Sequence, residues 1–151
     1  MDGLRVRALA AVVATVALTG LVAAGTGSAW TTNPTEGCTP GYWKNHEEAW
    51  VTYTPTQTVD SVFTGADPSL GSATLLEALS FDGGSDLVGK QEILLRAAVA
   101  ALLNTTSGID YGVKPKALIN GVNSRLASGS EKKIINFATK LDDRNNLGCP
   151  L

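Results

Sequence analysis

A single histidine, His46, stands in a chain of 151 residues, and that scarcity narrows the metal chemistry open to it. Zinc and copper prefer imidazole and thiolate donors, so one histidine leaves either ion a mainly oxygen shell that suits it poorly. Calcium has no need of the histidine, and the oxygen-rich stretch 142–146 lacks the spacing of an EF-hand loop. An excess of basic residues is also missing: the formal charge is −2, which gives no electrostatic reason to expect nucleic acid or an anionic membrane as partner. No Gly-x-Ser-x-Gly or comparable nucleophile setting occurs, so a Ser-His-Asp arrangement built on His46 lacks its usual support. No alternating run of β-branched residues is long enough for a strand, and neither an internal repeat nor a low-complexity tail is visible.

What the chain does have begins at its first residues. Arg5 and Arg7 precede an almost uninterrupted apolar run from Ala8 to Ala24, followed by the small-residue stretch Gly25-Thr26-Gly27-Ser28-Ala29. This is the layout of a cleavable secretory signal, with the cut expected between Ala29 and Trp30. The run is rich in Ala and Thr and sits near the lower limit of ~17 residues for a spanning helix, which argues against an uncleaved anchor. A lipoprotein anchor is opposed by Glu36-Gly37, which precede the first cysteine in place of a lipobox. Removing residues 1–29 leaves 122 residues and shifts the balance of charge to −3, enough chain for one domain with a modest core. The expected organisation is a signal peptide over 1–29, a flexible lead over 30–37 and a secreted domain over 38–151.

Cys38 and Cys149 lie at the two ends of that domain and have only each other to pair with. In the oxidising compartment that export implies, a disulfide between them is expected. Closing a loop of roughly 100 residues is worth about 4.7 kcal/mol in the chain-entropy model, against ~5–15 kcal/mol for the net stability of a whole domain.

Helix signals fill the rest. Thr39-Pro40 predicts a helix entrance, with Thr39 as N-cap and a helix over 41–51. Residues 52–72, with Pro55, Gly65, Pro68 and Gly71, predict loop with one turn around Val59 to Phe63. Thr74-Leu75-Leu76-Glu77 has capping-box spacing and predicts a short helix over 75–80. Asp86 can cap the next helix, whose heart from Glu92 to Asn104 is apolar on nearly every face and therefore belongs at the centre of the core, with Gly108 as its stop. Pro115 opens a helix bearing Leu118, Ile119, Val122 and Leu126, ended by Ser128-Gly129. Ser128 and Glu131 offer a second capping box for a last helix bearing Ile134, Phe137, Ala138 and Leu141. The fold class is all-α: one small bundle of about five short helices around a central apolar helix, closed by one disulfide.

The most unusual segment runs Gly37-Cys38-Thr39-Pro40-Gly41-Tyr42-Trp43-Lys44-Asn45-His46, and the chain closes on Leu141-Asp142-Asp143-Arg144-Asn145-Asn146-Leu147-Gly148-Cys149-Pro150-Leu151. Together with the run from Leu94 to Asn104, these segments resemble the CTPGYWKNH-type domain of bacterial and archaeal secreted and cell-surface proteins. The resemblance spans nearly all of 37–151. It implies extracellular placement and names no reaction; with no sorting motif after Cys149, a freely secreted protein is expected.

On one continuous helix Trp43, His46 and Trp50 would share a face, with Tyr42 on the adjoining edge. The plain reading has the tryptophans packed against the central helix and His46 hydrogen-bonded at the core margin. A second reading makes Tyr42, Trp43, Trp50 and Tyr53, with Lys44, Asn45 and His46, an exposed platform for a sugar or an extracellular protein. A third gathers His46 with Glu47, Glu48, Asp142 or Asp143 into a metal site, and a fourth is a small hydrolase using His46 or a carboxylate pair such as Glu47 and Glu92. Asp142 to Asn146 also suit a turn that steers Cys149 to its partner. Asn104-Thr105-Thr106 matches a glycosylation acceptor, although Asn104 reads more simply as a helix-end polar group. No catalytic residue and no cofactor is assigned; the expectation is a non-catalytic secreted domain that binds or assembles at the cell surface.

Overall fold

The computed structural model describes residues 29–151; the expected signal segment lies outside the described residues, except for Ala29. Six α-helices follow in order: α1 (Pro40–Asn45), α2 (Pro68–Gly71), α3 (Leu75–Ala78), α4 (Leu87–Thr106), α5 (Pro115–Ala127) and α6 (Glu131–Asn145). Two 3₁₀ turns, Glu47–Ala49 and Val59–Ser61, lie between α1 and α2. Among the described residues there is no strand, and three isolated antiparallel bridges are the only sheet-like pairings.

The centre is α4, as its composition requires. Every residue from Ala97 to Asn104 is buried, so this stretch meets protein on all sides, and α4 packs against α1, α3, α5 and α6. Asp86 caps it by accepting from the Gly89 N–H, and the chain leaves it at Gly108, whose φ of +85° is one that L side chains rarely adopt. The stripes of α5 and α6 bury Leu118, Val122 and Leu126 and Ile134, Phe137, Ala138 and Leu141. Burial of Leu and Ile side chains at about 1.5–3 kcal/mol each is what drives these amphipathic helices onto α4.

Several local expectations need correction. The helix expected over 41–51 stops at Asn45: the Asn45 side chain donates to the Gly41 carbonyl, and His46 leaves the helix at φ −132°, ψ 59°. Residues 68–71, expected as loop, form α2, with Asp67 as N-cap accepting from the Ser69 N–H and Pro68 in the first turn. The capping box at Thr74 and Glu77 forms, but the one expected at Ser128 and Glu131 does not. Ser128 instead ends α5, its hydroxyl donating to the Arg125 carbonyl, and Ser130 is the N-cap of α6 without a side-chain bond. Residues 30–37 are extended and lie along the domain. Trp30 sets its ring edge-on to Phe137 at 5.8 Å, and the Thr31 N–H donates to the Gly112 carbonyl.

Candidate functional site

The disulfide joins Cys38 to Cys149 across 111 positions of sequence. Beside it Gly37 and Gly148 pair as an antiparallel bridge, the Gly37 N–H donating to the Gly148 carbonyl at 2.9 Å. A Cβ at Gly37 would fall 2.0 Å from the Arg144 carbonyl oxygen, so only glycine lets the two ends approach this closely.

Directly inside this junction lies a buried amide network that the sequence did not disclose. Asn104 Oδ1 accepts from the Cys38 backbone N–H at 2.9 Å and from the Trp43 indole N–H at 3.0 Å. Asn104 Nδ2 donates to the Cys38 carbonyl at 2.9 Å and to Asn145 Oδ1 at 3.0 Å. Asn145 in turn donates to the Ala97 carbonyl and accepts from the Tyr111 hydroxyl at 2.8 Å. Asn104, Asn145 and Trp43 are all fully buried, and no buried side-chain N or O among the described residues lacks a partner. Asn104, polar and in the last turn of α4 as expected, is also the point where α1, α4 and α6 are tied together; in the folded chain its amide is not open to glycosylation. The polar character of Asn104 inside an apolar run was the one available signal, since a buried amide demands partners.

The aromatic residues expected to share a face divide between two roles. Trp43 is core. Trp50 is half-buried and folds back so that its indole N–H donates at 3.1 Å to the Trp43 carbonyl, which also accepts from the His46 N–H at the end of α1. Tyr42 stacks on His46 with ring centroids 4.3 Å apart, and Tyr53 is half-buried, which pushes its phenol pKa up. His46 lies at the surface, its side chain 45% exposed, with Nδ1 3.0 Å from the Glu48 carboxylate. Glu48 is held below the ordinary carboxylate range by its own backbone hydrogen bond and by His46.

The candidate metal ligands do not converge. Glu47 faces α3, Asp142 lines a cleft with Ile93 and Arg96, and Asp143 lines another with Thr32 and Pro34. Among the described residues no group of three or more His, Cys, Asp and Glu side chains is placed to hold an ion. The Glu92 carboxylate accepts from the Gly83 N–H at 2.9 Å, and Glu92 is not among the residues that line the groove at Glu47.

What the amino-terminal motif does present outward is a groove of about 710 Å³. Lys44, Glu47, Ser69, Ser72, Leu76 and Phe81 are among its lining residues, so it combines charged, hydroxyl and apolar groups. Glu77 also reaches this groove, its carboxyl kept below the ordinary range by the Thr74 backbone N–H and hydroxyl. Mixed charge, hydroxyls and apolar groups suit a ligand that is itself part polar and part apolar. No described helix is long and apolar enough to cross a membrane. Comparison with family models, with curated proteins and with solved structures finds no match.

Proposed function

We propose that this chain is a secreted, non-catalytic binding domain that acts outside the cell, on a carbohydrate or protein ligand taken up by the groove at Lys44 and Glu47. The observation that carries this reading is that Lys44, exposed within the amino-terminal motif, and the nearby Glu47 line the groove, while the motif's buried Cys38 and Trp43 belong to the core. Export is supported by the signal-like first 29 residues and by a disulfide of the kind that oxidising compartments sustain. The likeness to CTPGYWKNH-type domains points the same way. Carbohydrate leads, because Ser69, Ser72 and Ser80 offer hydroxyl partners beside the flat ring of Phe81.

Amide chemical-shift mapping of the oxidised protein with neutral oligosaccharides, such as cellohexaose and chitohexaose, tests this. Shifts gathered around Lys44, Leu76 and Phe81, reduced by Phe81→Ala, are expected. Hydrolysis of the sugar, abolished by His46→Ala with an unchanged melt, would replace binding with catalysis. The exported product should also have the mass of residues 30–151 with two fewer hydrogens; an intact amino terminus would remove the support from signal cleavage.

A further inference from the structure

We propose that the groove between the C-terminal end of α5 and α6 is a second binding site, for an acidic polysaccharide. It has a volume of about 570 Å³ and its rim carries three cations, Arg125, Lys133 and Lys140, with no carboxylate among its lining residues. This is a local concentration of positive charge on a chain whose formal charge is −2. Lys133 and Lys140 are exposed and form no ion pair with a described residue. Like charges held together repel, and an anion between them relieves that repulsion.

The cations are held in place by rings and backbone. The Arg125 guanidinium lies over Phe137, 4.4 Å from the ring centroid, and spends one N–H on the Gly121 carbonyl, which leaves most of its five donors open. The Lys140 ammonium sits 4.6 Å from the centre of the Trp30 ring. Stacking of this kind fixes a cation without neutralising it. Two carbonyls at this end of α5 are already engaged, those of Arg125 and Leu126 accepting from Ser128 and Gly129.

The arrangement selects a polymer over a single ion. Lys133 and Lys140 are two turns apart on α6, about 10 Å along its axis, and so share one face. Anions carried on successive units of a chain can meet both, with Arg125 between them. Ser124, Ser128 and Asn136 add hydroxyl and amide groups suited to sugar hydroxyls, and the site is a groove rather than the flat face a lipid surface would call for.

Titration of the purified, oxidised protein with polygalacturonate tests the site, with neutral dextran, inorganic phosphate and phosphatidylglycerol vesicles in parallel. Binding of polygalacturonate but not dextran is expected, weakening as salt rises. Lys133→Gln/Lys140→Gln should weaken it roughly tenfold or more, with an unchanged melt, whereas Lys44→Gln in the other groove should leave it unchanged. Loss of the neutral-sugar site with retention of this one would overturn only the reading of the Lys44 groove. No binding at low salt, equal affinity in the double variant, equal affinity for phosphate alone, or tighter binding to the vesicles would overturn the present proposal.

Discussion

Asn104 makes four hydrogen bonds with one buried side chain, two as acceptor and two as donor. Asn104→Asp keeps the shape but sets carboxylate oxygens against the Cys38 carbonyl and Asn145 Oδ1. It should cost about 3 kcal/mol or more at neutral pH, since buried groups lose their partners and a charge is buried. Burial raises the pKa of the new carboxyl, so its protonated form donates again and part of the loss is recovered as pH falls; denaturant melts at pH 7 and pH 4 check both. His46→Ala contrasts with this. The imidazole is at the surface, and its removal should cost less than about 1 kcal/mol in a urea melt. Tyr111 is 1% exposed, and burial, partly offset by Arg144, raises its pKa far above the ordinary 10.0. Below pH 10 the phenol is neutral in both folded and unfolded chains. Above it only the unfolded chain ionises, so stability should fall as pH rises, and the fall should be smaller in Tyr111→Phe.

Each helix is defined by the residues at its ends. Thr39 and Pro40 start α1, and the Asn45 side chain ends it by competing for the Gly41 carbonyl. That early stop frees Trp50 to turn back on the Trp43 carbonyl and leaves Lys44 and Glu47 at a groove instead of on a longer helix face. Packing between elements decides the sign of some substitutions. Gly121 lies mid-helix in α5, where alanine alone would add about 1 kcal/mol of helix propensity. A Cβ there would stand 2.9 Å from the Phe137 ring, which Arg125 and Trp30 hold on two sides. Gly121→Ala should therefore destabilise, by about 1–2 kcal/mol, as read from thermal melts.

For the molecule as a whole, the disulfide and the amide network close the same junction by different means. The disulfide restricts the unfolded chain, while Asn104 and Asn145 favour the folded one. Cys149 is exposed although Cys38 is buried. Cys38→Ser/Cys149→Ser should lower stability by about 3–5 kcal/mol, or roughly 10–20 °C in melting temperature for a domain of this size. The fold should survive in it, because the buried hydrogen bonds and the α4 core do not depend on the sulfurs; circular dichroism before and after reduction checks this.

The all-α class, the central position of α4, the disulfide partners and the caps at Thr39, Thr74 and Asp86 were legible in the sequence. Those features rest on periodicity, on cysteine number or on contacts within a few residues, all of which are local in the chain. Packing between distant segments brings Asn104 to Asn145, turns Trp50 back onto the Trp43 carbonyl and sets the candidate metal ligands apart. Asn104 is 66 residues from Cys38 and 41 from Asn145, so no local pattern could pair them. The same holds for both grooves, whose lining comes from α1, α2 and α3 or from α5 and α6 and exists only once these helices have packed.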